Sequence, residues 1–336
     1  MLLLTVSIVA GLLIIEFFIR WNAPQNLTTI GAHDPTRMQT FDPVFMLAHK
    51  PGFEGLWVRN VFVSINSIGM RDREYGAKGR NELRILSLGD SYAFGFGIEL
   101  QDSYPKVVEE MLSERFPGTK FSVMNAAVSG FGTQQQILMY DRLREELEVD
   151  YVLATFVGSN DVHENIKFSK RLEQKLNSPV DFLDHHSHLV RLILRTVHPA
   201  TFFLSNRWEP NIDYTIELLE NLEGRFKSAS LPYLMLVIPA RHQIRQKVHA
   251  GSRWLSRLGM DWLIMHQNSK IVMHFESHET PHINLYKPLV NHDRLEDVSF
   301  TDDSHVNAIG HKVIAEAVFE RIEPEIAKLV KNMGSQ

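Results

Sequence analysis

The chain contains no cysteine. That excludes disulfide cross-links, thiolate nucleophiles and cysteine-ligated metal sites, while leaving the compartment open. An excess of basic charge is lacking too. Lys and Arg number 35 against 40 Asp and Glu, for a net charge of −5 and a pI near 6.3, so no nucleic-acid partner is expected. Internal repeats and low-complexity segments are also missing from the sequence. What is present is 44% hydrophobic and 22% charged residues over 336 positions, an ordinary balance for one large globular domain or two small ones.

One long apolar run stands apart. Residues 1–19 include only Thr5, Ser7 and Glu16 as polar members, and Arg20 and Trp21 follow. That length just suffices for a helix to cross a bilayer. The basic leader and small-x-small cleavage site of a secretory signal are missing. Residues 1–20 are therefore read as an uncleaved transmembrane anchor, and 21–82 as a tether. Pro24, Pro35, Pro43 and Pro51 interrupt any long element in that tether, and alternation over 56–66 suggests an edge hairpin.

From residue 83 the pattern alternates. Apolar runs at 84–89, 121–128, 151–158 and 232–240, with a weaker one at 283–289, read as strands. Between and after them, 103–116 (with Asp102 as cap), 133–147, 211–228 and 307–330 have helical spacing, and Pro324 is a point of kinking or breakage. Residues 162–210 look like a mostly helical, histidine-rich insertion within a domain over 83–332. Strands alternating with helices predict an α/β fold, a parallel sheet of about five strands covered on both faces.

Chemistry in such sheets collects beyond the carboxyl ends of the strands. There the chain offers Gly89-Asp90-Ser91, Ser129-Gly130 and Asn160, and Thr301-Asp302-Asp303-Ser304-His305 precedes the last helix. A serine hydroxyl needs a base, and histidine titrates near neutrality. The histidine needs an anionic partner, assigned to Asp302, with Asp303 as the alternative. An oxyanion needs preorganised donors, which the backbone N–H groups of Ser91 and Gly130 and the amide of Asn160 would supply. Asp90 and Asp161 are read as braces for their turns.

In this constellation the chain resembles the SGNH hydrolase superfamily, also called the GDSL esterase/lipase family. The matching blocks are Gly89-Asp90-Ser91, the NAAVSG run from Asn125 to Gly130, GSND from Gly158 to Asp161, and DDSH from Asp302 to His305, in the family's order over about 84–325. The resemblance implies a three-layer α/β/α, flavodoxin-like sandwich. It also implies Ser91 as nucleophile, His305 as base, Asp302 as its orienter, and Gly130 and Asn160 in the oxyanion hole. Tyr92 stands where many members have leucine, and Val306 where many have proline. The expected activity is ester hydrolysis through an acyl-enzyme, on a small-molecule, lipid or glycan ester, with no cofactor. Acyl transfer to, or O-deacetylation of, a cell-envelope polysaccharide is the alternative, and a non-catalytic envelope scaffold a third reading. The anchor suggests a periplasmic or extracellular catalytic domain.

A Gly-x-Ser-x-Gly elbow and a dinucleotide fingerprint are both missing. His185, His186 and His188, with Asp181 and Asp184, lack regular ligand spacing, so no metal is assigned. His163 and Glu164 could border the cleft or lie on the surface. Phe94, Phe96 and Phe131 could shape an acyl pocket or fill the core, and Trp254 and Trp262 could belong to a lipid-facing or substrate-facing lobe.

Overall fold

The computed structural model describes residues 2–22, 38–173, 187, 189, 208–239, 260–291, 297–301 and 305–333. The apolar runs are realised as five parallel strands: β5 (Glu82–Leu88), β6 (Lys120–Asn125), β7 (Tyr151–Val157), β8 (Tyr233–Ile238) and β9 (His282–Asn284). They lie in the order β6-β5-β7-β8-β9. Preceding them are two short antiparallel pairs, β1 (Gln39–Thr40) with β2 (Ala48–His49), and β3 (Glu54–Leu56) with β4 (Phe62–Ser64).

Alternate side chains of each central strand enter opposite cores. On one face Leu83, Ile85, Leu153, Leu234 and Leu236 pack with the helices α3 (Tyr104–Arg115) and α9 (Ala308–Met333). On the other, Leu86, Leu88, Val152, Met235 and Val237 meet α4 (Thr133–Leu143), α5 (Gly158–Glu173), α6 (Trp208–Ser228) and α7 (Met260–Ser277). All seven residues of β5 and of β7 are buried, as expected for strands covered on both faces. The strand order reverses at β5, flanked by β6 and β7, so their carboxyl ends form the crevice in which ligands of open α/β sheets bind.

Several expectations are revised. The cap of α3 is Ser103, not Asp102. Asp102 ends a 3-10 turn, and Pro105 occupies the first turn of the helix, where a missing N–H costs nothing. The weak fifth strand stops at Asn284 because a short helix, α8 (Tyr286–Val290), starts where the Asn284 Oδ1 accepts from the Tyr286 N–H. The helix α9 runs through Pro324 unbroken. The stretch read as a tether is, from Met38 onward, built into the domain: Met38, Val61, Val63 and Ile65 are buried in the first core, Phe45 and Met70 in the second. Most of the insertion, including His185, His186 and His188, lies outside the described residues, as do Trp254 and the side chain of Trp262.

The apolar amino terminus forms a helix, α1 (Leu2–Asn22). Most side chains of its first nine residues lie outside the described residues, and among the described residues no helix is long and apolar enough to cross a membrane. The expected transmembrane span is therefore not found. Near its carboxyl end Glu16 pairs with Arg20 and accepts hydrogen bonds from the Ser187 hydroxyl and the Leu189 N–H, both at 2.8 Å. This charged turn of α1 is thus engaged with protein.

Candidate active site

The strand β5 ends at Leu88, and Gly89 turns the chain where a Cβ would fall 2.7 Å from that of Ala93 and 2.9 Å from that of Thr155. Only glycine fits so close an approach. Asp90 then caps a four-residue helical turn, α2 (Ser91–Phe94), its carboxylate accepting from the Tyr92 N–H at 2.9 Å. Ser91, the first residue of that turn, meets the Nε2 of His305 at 2.7 Å across 214 positions of sequence. The sequence assigns these two side chains as nucleophile and base, and the fold brings them within hydrogen-bond distance.

His305 is held on three sides. Its ring stacks on Phe96 with centroids 4.1 Å apart and lies 4.9 Å from the ring of Tyr92. Its carbonyl accepts from Phe300 N–H, and Ser299 pairs with Val306, closing the loop that presents it. Asn307 fastens the end of that loop, donating from Nδ2 to the Asp297 carbonyl while its Oδ1 accepts from the Gly310 N–H at the start of α9. Asp302, expected to orient the imidazole, lies outside the described residues, as does Asp303.

Asp90 and Asn160 bring the third strand end to the turn that carries Ser91. The Nδ2 of Asn160 donates to Asp90 at 2.5 Å. An amide carries two N–H bonds, and this contact engages one of them. On the other flank the Val128 N–H donates to the carbonyl of Gly89, tying the loop after β6 to the same turn. Gly130 in that loop has φ 88°, in the left-handed region that favours glycine. The carbonyl of the preceding residue, Ser129, accepts from the buried side chain of Gln39 at 3.0 Å. A peptide's C=O and N–H point in opposite directions, so that bond also aims the Gly130 N–H.

The electrostatics are those of a desolvated site. Burial pushes the Asp90 carboxyl up to about 6, although the Tyr92 N–H, His305 and Asn160 favour its ionised form. Asp161, fully buried, accepts from the Val157 N–H, and burial together with the charge of Asp90 holds its carboxyl well above the usual range. Asp161 thus braces its turn as anticipated. Beneath Ser91, the Tyr104 hydroxyl bonds Ser87 at 3.0 Å and Thr155 at 2.7 Å, with burial pushing it up to about 12. His311 accepts from the Tyr104 N–H, and burial, with Arg71 and His305, brings it down to about 3, so it stays neutral.

Three contacts here had no sequence signal. Arg71 is buried and donates to the carbonyls of Phe94, Gly95 and Ile98, and burial brings its guanidinium down to about 10. Asn125 Nδ2 donates to the Ala93 carbonyl at 3.1 Å. Together these hold the carboxyl end of α2, whose free carbonyls would otherwise go unsatisfied. Trp57, at the end of β3, packs edge-on against Phe94 and Phe96. Of the aromatic residues singled out, Phe94 and Phe131 are core residues, and Phe96 touches His305. His163 is exposed.

No protein-family model matches the chain. An uncharacterised protein of Mycoplasma pneumoniae is 26% identical over 163 residues, 47% of this chain but 18% of that protein. The chain thus spans a small part of that relative's length. Among solved structures, the psychrotrophic esterase EstA from Pseudoalteromonas sp. is 13% identical with a TM-score of 0.42, over 73% of this chain and 98% of that one. A lipase/acylhydrolase from Enterococcus faecalis is 16% identical with a TM-score of 0.44, over 72% and 96%. A variant of Axe2, an acetyl xylan esterase from Geobacillus stearothermophilus, is 13% identical with a TM-score of 0.45, over 71% and 94%. Such low identities leave the chemistry to be read from the chain's own residues.

Proposed function

We propose that this chain is a serine ester hydrolase of the SGNH type. The observation that carries the reading is the 2.7 Å contact between the Ser91 Oγ and the His305 Nε2, at the carboxyl end of the central strand β5. In the proposed reaction Ser91 Oγ attacks the ester carbonyl while His305 Nε2 takes its proton. The oxyanion is received by the N–H groups of Ser91 and Gly130 and the second N–H of Asn160. Collapse of the tetrahedral species breaks the bond to the alkoxy oxygen, to which His305 returns the proton. Water, deprotonated by His305, then attacks the acyl-enzyme, and the acid leaves with Ser91 restored. Asp302 is assigned the second nitrogen of the ring, on the strength of the sequence motif.

The helix α1 is proposed to hold the domain at a membrane surface. Leu13, Ile14, Phe17 and Phe18 are exposed along it, which supports a lipid contact. Deleting residues 1–22 should then release the protein from the membrane fraction with ester turnover unchanged; retention there would refute the assignment.

The chemistry is tested with p-nitrophenyl esters from acetyl to long acyl, and with a fluorophosphonate probe. Saturable turnover that falls more than about a thousandfold in Ser91→Ala is the expected result. A folded protein with neither turnover nor labelling at Ser91 would sink the proposal. Labelling without turnover on any ester would turn it toward acyl transfer to a missing acceptor.

A further inference from the structure

The end of the sheet opposite Ser91 carries a second cluster of chemically active side chains. Glu220 lies on α6, and His274 and His278 stand one helical turn apart at the end of α7. One ligand atom from each of the three lies within 4.8 Å of the others. Tyr233, the first residue of β8, bonds Glu223 one turn along from Glu220, and β9 starts at His282 just after His278. The cluster therefore sits beside the amino ends of the strands, whereas Ser91, Gly130 and Asn160 follow their carboxyl ends.

We propose that Glu220, His274 and His278 form a site for a divalent transition-metal cation of the zinc class, stapling α6 to α7. Three features of the geometry fit. First, the His274 Nε2 and a Glu220 carboxylate oxygen lie 3.3 Å apart. A metal about 2.0–2.1 Å from two ligands at the tetrahedral angle separates them by about 3.3 Å. Second, histidines at i and i+4 project from one face of a helix, the spacing by which helices present paired imidazoles to zinc. Their rings are 4.1 Å apart, a crowding that two imidazolium ions would oppose and a shared cation would favour. Third, His278 is already oriented: its Nδ1 meets the His274 carbonyl at 2.9 Å. A ring that donates from Nδ1 to a carbonyl presents the Nε2 lone pair outward, the usual second contact of a metal-bound histidine.

Glu223 does not compete for a cation, being engaged with Tyr233 and Lys227. Three protein ligands leave a fourth position for water. The site's consequence is structural: α6 and α7 pack together over the core that covers β7 and β8, and a bound cation would tie their exposed ends.

The proposal does not depend on the esterase reading, and its test is separate. Full-length protein stripped with a chelator is titrated with Zn²⁺ by calorimetry and melted with and without the ion. One saturable equivalent per chain and a raised Tm are expected, since a ligand that binds only the folded state stabilises it. His278→Ala and His274→Ala should each weaken binding by more than the roughly 10–100-fold that loss of an outer-shell partner costs. Glu220→Gln should weaken it while leaving the metal-free Tm unchanged. Because His278 is exposed, its variant decides the matter even if His274→Ala fails to fold. Ester turnover should be equal with and without Zn²⁺. Absence of saturable binding, or binding that survives His278→Ala, would overturn the site and leave Glu220 and His274 as a simple ion pair.

Discussion

Gln39 shows how much one side chain can do from a distance. It reaches across 90 positions to the carbonyl of Ser129, and so sets the plane of the peptide whose N–H belongs to Gly130. Removing an oxyanion donor costs about 10²–10³ in kcat in serine hydrolases, and misaiming one costs a fraction of that. Gln39→Ala should therefore lower kcat on a p-nitrophenyl ester by roughly tenfold with KM nearly unchanged. Fluorophosphonate labelling of Ser91 should slow in parallel, because that adduct uses the same donors. An effect on KM or Tm alone would mean that Gln39 only packs.

Asp161 offers a second residue-level prediction, read in pH. Its carboxyl is raised by burial and by Asp90, and its Oδ1 has no hydrogen-bond partner. A carboxyl whose folded-state pKa lies above its unfolded value is protonated more readily in the folded protein. Stability therefore falls as pH rises from the unfolded pKa through the folded one. Asp161→Asn keeps an acceptor for the Val157 N–H and removes that ionisation. The variant should gain stability over the parent at pH 8 and gain less, or nothing, at pH 5, measured by urea melts at both. A gain independent of pH would place the burden elsewhere.

At the scale of elements, the nucleophile turn is fastened from below by a buried ion pair. Lys106 on α3 meets Asp72 at 2.7 Å, and Asp72 in turn accepts from the Asn125 N–H at the end of β6. The side chain of Asn125 then holds the Ala93 carbonyl of α2. Lys106 also donates to the Val123 carbonyl. Removing one partner of such a pair leaves an uncompensated buried charge, so Lys106→Ala should cost about 3–5 kcal/mol in urea unfolding. A cost below about 1 kcal/mol would match an exposed pair and contradict the burial.

Elements also show which parts were legible. Strands β5 to β8 were visible in the sequence because each is a short apolar run ended by a turn signal. The serine, glycine and asparagine that follow β5, β6 and β7 were visible because the chemistry of such sheets collects there. The β3–β4 hairpin was visible from its alternation. Its use was not: Trp57 presses on Phe96, and Phe96 on His305, through contacts that no local pattern encodes. The same holds for Arg71, which in sequence is one more charge in a charged stretch. In the fold it is enclosed by carbonyls 23–27 positions away. Helix caps failed for a related reason, since Asp102 and Ser103 are both acceptable caps and packing chose between them.

For the molecule as a whole, the residues before the first central strand divide into parts with opposite roles. The described apolar residues of α1 belong to neither core. Residues 38–70 are different. Met38, Val61, Val63 and Ile65 fill one core, Phe45 and Met70 the other, and Phe45 stacks on Phe131 while its carbonyl accepts from Gln135. Each buried apolar side chain of this size contributes about 1.5–3 kcal/mol, so losing six removes roughly 9–18 kcal/mol, comparable to the 5–15 kcal/mol by which domains are stable. A chain beginning at residue 23 should fold and turn over esters like the full-length protein, whereas one beginning at residue 71 should fail to fold. Circular dichroism and fluorophosphonate labelling distinguish the two. If the shorter chain were folded and labelled, the segment would be a dispensable tether after all. If both chains failed, α1 itself would be part of the folded unit, through the contacts that Glu16 makes with residues 187 and 189.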